Sequence, residues 1–106
     1  MRARKRPLFL SDVEDCADFL FTEAGEDVAR KWKESLDKTV ARLSKYPEIG
    51  CMRHDLPIPG VRTLFLKQFP RYLVFYRIEK ETLELLLVRH GMMHLPGLFR
   101  NPPGED

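Results

Sequence analysis

Cysteines and long apolar runs are scarce in this chain, and each shortage excludes a class of protein. The 106 residues include two cysteines, which are too few for a disulfide framework, and the spacing of Cys16 and Cys51 matches no metal-binding motif. No apolar run approaches the ~20 residues that span a bilayer. The basic N-terminus is not followed by the apolar segment of a secretory signal. We therefore expect a cytoplasmic protein with free thiols, no metal site, no cofactor and no membrane partner.

The chain also has little excess charge of either sign. The 18 basic and 16 acidic residues leave a net charge of +2, which is not that of an obligate nucleic-acid binder. A hydrophobic fraction of 43% argues against disorder. The length suits one domain with a single modest core. We expect residues 1–106 to form that domain, with a basic tail over residues 1–6 and a frayed tail over residues 100–106.

The first half of the chain predicts a short strand and two helices. Residues 7–10 are an apolar run that we interpret as an N-terminal edge strand. Ser11 and Glu14 have the spacing of a capping box, which predicts a first helix over residues 12–23. A second helix is predicted over residues 27–45 because apolar residues recur there at helical spacing. That stripe consists of Val28, Trp32, Leu36, Val40 and Leu43.

The second half predicts a small sheet. Prolines and glycines make residues 47–60 a loop. Three apolar segments, at residues 60–66, 72–78 and 83–91, are separated by short polar turns and read as an antiparallel meander. Because Gly25 interrupts the two helices, they should form an antiparallel hairpin on that sheet. The predicted fold class is therefore α+β: a short strand, a helical hairpin and a three-stranded meander packed on the helices.

Each predicted strand carries an arginine among apolar neighbours: Arg62, Arg77 and Arg89. An arginine in such a place is costly unless it reaches the surface or has a partner. Two interpretations stay open. Each arginine pairs with a helix acid, or the three form a cationic rim at one end of the sheet that binds a target or a partner's acid. The helix acids considered are Glu14, Asp18 and Asp37.

Four segments in this order resemble a known family. They are residues 46–50 (Tyr-Pro-Glu-Ile-Gly), 59–62 (Pro-Gly-Val-Arg), 72–78 (Tyr-Leu-Val-Phe-Tyr-Arg-Ile) and 88–91 (Val-Arg-His-Gly). Over about residues 7–94 the chain resembles the RelE/ParE superfamily of bacterial type II toxin–antitoxin modules, with the ParE-like branch nearest. The resemblance implies a small α+β plasmid-stabilisation toxin that a co-transcribed antitoxin, ParD-like or other, holds inactive.

The branches of this superfamily differ in target. ParE-like members poison DNA gyrase, whereas RelE-like members cut messenger RNA on the ribosome without a metal. Tyr72 lies where several nucleases carry an arginine, and Gly91 and Met92 lie where some carry a terminal His-Tyr pair. The resemblance therefore favours a gyrase inhibitor that binds its target and has no catalytic residues.

The alternatives are a RelE-like endoribonuclease and an inactive member that binds an antitoxin. In a nuclease, proton transfer and charge stabilisation would fall to Arg62, Arg77, Arg89 and His90. In a gyrase inhibitor, we expect the same four residues to contact the target.

An apolar segment after the third strand predicts a partner surface. Exposed apolar patches mark interaction sites, and methionine suits an adaptable one. Either the segment folds back onto the helices, or it joins Trp32 in binding an antitoxin helix or strand. Its residues are Met92, Met93, Leu95, Leu98 and Phe99.

Overall fold

The computed structural model describes residues 1–91, which form two helices on one face of a five-stranded mixed sheet. The elements are β1 (Arg2–Lys5), α1 (Pro7–Ala24), α2 (Glu26–Lys45), β2 (Cys51–Met52), β3 (Arg62–Leu66), β4 (Phe69–Glu79) and β5 (Thr82–His90). The strand order is β1-β5-β4-β3-β2; β1 runs parallel to β5, and the other neighbours are antiparallel. The predicted α+β class is confirmed, with one strand more than predicted.

The N-terminal strand was predicted at the wrong residues. Residues 7–10 form the first turn of α1, because Pro7 occupies a position where its missing N–H costs no hydrogen bond and its fixed φ suits a helix. Ser11 and Glu14 consequently lie inside the helix and do not cap it. The supposed basic tail is the strand itself, since residues 2–5 of β1 pair with residues 82–85 of β5.

The helical hairpin is confirmed, and it covers one face of the sheet. Gly25 alone separates α1 from α2 and adopts a φ of 94°, a left-handed conformation that glycine reaches without strain. Trp32, Leu36 and Leu43 of α2 are buried in one cluster with residues of β3, β4 and β5, as the apolar stripe predicted. The main core therefore lies between the hairpin and the centre of the sheet.

A second, smaller core covers the opposite face. Leu56, Ile58 and Val61 from the loop before β3 pack against Phe75 and Leu87 of the sheet. The prediction of a loop over residues 47–60 is thus correct except at β2, whose two residues pair with β3. Both faces of β4 and β5 are covered, which explains why these strands are apolar on both sides.

A bulge in β5 changes which face its residues share. Phe75 pairs with Leu87 and Tyr76 pairs with Leu85, so Leu86 is an extra residue on β5. Strict alternation puts Leu85, Leu87 and Arg89 on one face. In the structure Leu85 belongs to the helix-covered core and Leu87 to the opposite one. Because of the bulge, Leu87 faces the side of the sheet opposite to Leu85.

Candidate functional site

The three candidate arginines lie at two ends of the sheet. Arg62 pairs with the residue before Arg77 in β4, whereas Arg89 pairs with Leu73. Arg77 lies four residue steps from Leu73 along β4, a distance of about 13 Å at the usual rise. The expectation of one cationic rim is therefore wrong, because Arg89 and His90 lie at the end opposite to Arg62 and Arg77. Target contact by these four residues stays a prediction.

Arg62 holds the turn that follows α2. Its Nη1 donates to the carbonyl oxygens of Glu48 at 3.2 Å and Gly50 at 3.0 Å. The Tyr76 hydroxyl joins the same turn by donating to the Pro47 carbonyl at 2.8 Å and accepting from the Gly50 N–H at 2.9 Å. A Cβ at position 50 would overlap that hydroxyl, which accounts for the glycine. Arg62 is thus an organiser of this turn.

Arg77 is balanced by carboxylates on the sheet. Its guanidinium lies 3.5 Å from Glu84 of β5 and 3.8 Å from Glu79 of β4. Glu84 is buried, and it is the direct cross-strand partner of Arg77. The interpretation that Arg77 pairs with a helix acid is therefore wrong, because both carboxylates come from strands of the sheet.

Arg89 makes the closest ion pair of the three. Its Nη2 and Nε each lie 2.8 Å from a different carboxylate oxygen of Asp12 in α1, which gives a bidentate contact. Asp12 is a helix acid, as one interpretation required, although it was not among those predicted. Its Oδ2 also accepts the N–H of Val88 at 3.2 Å. This carboxylate takes the place of a strand partner where β1 has ended.

Burial sets the electrostatics around that pair. Asp12 is 4% exposed, and this desolvation raises the pKa of its carboxyl, while the hydrogen bonds and charge of Arg89 and the N–H of Val88 oppose the rise. Burial also raises the pKa of the neighbouring Cys16 thiol to about 11. The thiol is therefore protonated at neutral pH and is not a nucleophile.

A groove of about 360 Å³ opens beside the Asp12–Arg89 pair, and we call it the α1/β5 groove. His90 stands edge-on to Tyr72, with ring centroids 5.2 Å apart. Phe19 of α1 lies at the groove with 58% of its surface exposed. Sequence reasoning missed Phe19 and Asp12, because neither belongs to the segments that carry the family resemblance. The lining residues are Cys16, Phe19, Tyr72, Arg89 and His90.

The predicted antitoxin surface needs one correction. Trp32 is fully buried and packs edge-on beneath Tyr72, with ring centroids 5.6 Å apart, so it cannot contact a partner directly. Its role is to support the floor of the α1/β5 groove. The other predicted residues of that surface lie outside the described residues: Met92, Met93, Leu95, Leu98 and Phe99.

Residues 1–91 contain neither a candidate metal centre nor a membrane-spanning helix. In that range no three histidine, cysteine or acidic side chains come together in a group that could hold a metal ion. Neither described helix combines the length and the apolar character that crossing a membrane requires.

The fold is shared with a solved toxin–antitoxin structure. A chain from the chromosomal ParDE toxin–antitoxin system of P. aeruginosa is similar with a TM-score of 0.72 and 21% sequence identity, over 85% of this chain and 95% of that one. At that identity the similarity establishes the two-layer α+β fold.

A family model makes the assignment more specific. The model described as the ParE toxin of the type II toxin–antitoxin system parDE matches residues 4–95. This chain belongs to that family. No curated protein matches the sequence significantly.

Proposed function

We propose that this toxin arrests growth by binding and inhibiting DNA gyrase, and that a cognate antitoxin neutralises it. Membership of the ParE toxin family supports this target. The observation that carries the proposal is the separation of the four residues that a nuclease would use. Metal-independent RNA cleavage needs a base, an acid and cations that converge on one phosphate. Here Arg62 and Arg77 lie at one end of the sheet, and Arg89 and His90 at the other.

The contacts of the three arginines support action by binding. Arg62 donates to backbone carbonyls, Arg77 faces two carboxylates and Arg89 forms a bidentate ion pair with Asp12. Arg77 and Arg89, whose charges are already offset by carboxylates, would stabilise a developing phosphorane poorly. These contacts suit residues that fix the shape of a binding surface.

The α1/β5 groove is the surface that we assign to the target. Its lining is mainly apolar and aromatic, and Phe19 is exposed at its edge. Aromatic anchors of this kind dominate the energetics of protein interfaces. His90 lies at the groove and contributes a polar contact, while Arg89 acts as a positioning residue through Asp12. Arg62 and Arg77 keep their proposed role in contacting the target at the other end of the sheet.

Two phenylalanines of α1 provide a matched test. Phe19 and Phe21 are each 58% exposed, but Phe19 lines the groove and Phe21 does not. Induced expression of the wild type should stop growth, switch on the DNA-damage response and relax plasmid DNA. Phe19→Ala should remove these effects, and Phe21→Ala should retain them.

The alternatives give different results in the same experiment. Primer extension that finds cleaved messenger RNA, with plasmid topology unchanged, would support a RelE-like endoribonuclease. No arrest together with antitoxin binding would support an inactive member. Equal loss of toxicity in both phenylalanine variants would contradict the assignment of the target to the α1/β5 groove.

A further inference from the structure

A second groove lies between α2 and β3, and positive charge dominates its lining. We call it the α2/β3 groove; its volume of about 670 Å³ is typical of ligand sites. Lys38 and Arg42 come from α2, and Lys67 comes from the turn between β3 and β4. No carboxylate is among the lining residues in the described part of the chain. This groove is distinct from the α1/β5 groove and shares no lining residue with it.

The three cations have no anionic partner within residues 1–91. The ion pairs of α2 involve other residues: Arg30 pairs with Asp27 at 3.3 Å and Lys33 pairs with Asp37 at 2.9 Å. Lys38 and Arg42 are one helical turn apart, which puts their Cβ atoms about 5–6 Å from each other. The charge on this side of α2 is therefore concentrated and not offset.

An exposed aromatic ring accompanies these cations. Phe65 of β3 is 55% exposed and lines the same groove. Phe65 lies beyond the part of β3 that pairs with β2, since β2 pairs with Arg62 and Thr63 alone. Gln68, also in the lining, carries an amide that can both donate and accept hydrogen bonds. Proteins that bind single-stranded nucleic acid without sequence preference combine cationic side chains with an aromatic ring on which a base stacks.

We propose that the α2/β3 groove binds single-stranded nucleic acid. Lys38, Arg42 and Lys67 would neutralise backbone phosphates, and one base would stack on Phe65. Lysine-rich lining favours this ligand over an acidic polypeptide, because lysine is depleted in protein–protein interfaces. The proposal does not depend on gyrase inhibition, so the two can fail separately.

The test measures binding of the purified full-length chain to labelled oligonucleotides by fluorescence anisotropy. Roughly 15-nucleotide single strands of DNA and of RNA, and a DNA duplex, are titrated over a range of salt concentrations. Three phosphate contacts to a single strand predict that log K falls with log salt concentration at a slope of about −2. The separate DNA and RNA measurements show which backbone is preferred.

Two double variants separate the groove from general charge. K38Q/R42Q removes one lysine and one arginine from the groove, and it should lower affinity and reduce the magnitude of the salt slope by more than about 1. R30Q/K33Q removes the same charges from the same helix away from the groove, and it should keep the wild-type slope. Circular dichroism and thermal midpoints confirm that both variants fold.

The aromatic contribution is tested separately. Phe65→Ala should weaken single-strand binding about fivefold or more and leave the salt slope unchanged, because stacking is not ionic. The proposal is overturned if both double variants lose affinity equally, or if wild-type protein does not bind. It is also overturned if polyglutamate displaces the oligonucleotide as effectively as an unlabelled single strand, because the site would then be selective for charge alone.

Discussion

The carboxylate of Asp12 joins α1 to β5 by binding both the Arg89 guanidinium and the Val88 N–H. The Arg89 side chain is 17% exposed and that of Asp12 is 6% exposed. Removing one partner of a buried ion pair is costly because the other charge is left uncompensated. This single residue therefore helps to determine where α1 lies and how the α1/β5 groove is shaped.

Asp12→Asn should lower the free energy of unfolding by about 3–5 kcal/mol. Urea denaturation followed by circular dichroism measures the change. Asp37→Asn is the matched control, since its pair with Lys33 is exposed on both sides and should be worth less than about 1 kcal/mol. Equal, small losses in the two variants would mean that Asp12 does not hold the hairpin to the sheet.

The two cysteines should differ in reactivity. Burial holds the pKa of Cys16 at about 11, whereas Cys51 is exposed. Iodoacetamide at neutral pH should therefore modify Cys51 first, as peptide mass spectrometry can measure. Equal rates at both thiols would contradict the burial of Cys16.

The same shift predicts a pH dependence of stability. The native pKa of Cys16 exceeds the ordinary value of 9.0, so its contribution is complete below about pH 9 and is lost as the pH rises through about 11. Cys16→Ala should flatten the decline of the unfolding free energy over that range. A decline as steep in this variant as in the wild type would assign it to other groups.

At the scale of elements, sequence patterns located those with a strong apolar signal. The stripe of α2 and the apolar runs of β3, β4 and β5 all predict their elements, because burial requires those side chains. β1 escaped prediction since it is a short edge strand of mostly exposed, basic residues. Residues 7–10 were assigned to a strand by mistake, because a short apolar run suits either a strand or the first turn of a helix.

The site was less predictable than the fold, for a physical reason. Asp12 meets Arg89 through contacts between segments 77 residues apart, and no local pattern encodes such a pair. The bulge at Leu86 likewise depends on pairing with β4. The sequence identified Arg89 and His90 as candidates, and the predicted antiparallel meander already implies that Arg62 and Arg77 lie at the other end of the sheet. The expectation of one cationic rim overlooked this strand direction.

Leu36 tests the packing of α2 on the sheet. It is 2% exposed in the main core, so Leu36→Ala should reduce the free energy of unfolding by about 2–5 kcal/mol. Leu10→Ala on α1 is the control, because Leu10 is 50% exposed and should change stability by about 0.5 kcal/mol or less. A loss at Leu36 as small as that of the control would contradict a core between hairpin and sheet.

At the scale of the whole molecule, two grooves with different chemistry lie beside different helices. The α1/β5 groove is largely apolar and aromatic, and the α2/β3 groove is basic. Apolar, aromatic surfaces suit a protein target, whereas unpaired cations suit phosphates. The two proposals therefore assign the protein target and the nucleic acid to separate grooves, which share no lining residue.

The most direct test of the central claim is supercoiling of relaxed plasmid by purified gyrase in the presence of the full-length chain. Inhibition by binding predicts that the wild type and Phe21→Ala abolish the supercoiled product, while Phe19→Ala leaves gyrase active. Primer extension on messenger RNA in a translating extract, run alongside, should show no toxin-dependent cleavage. Unchanged supercoiling together with cleaved messenger RNA would contradict the account.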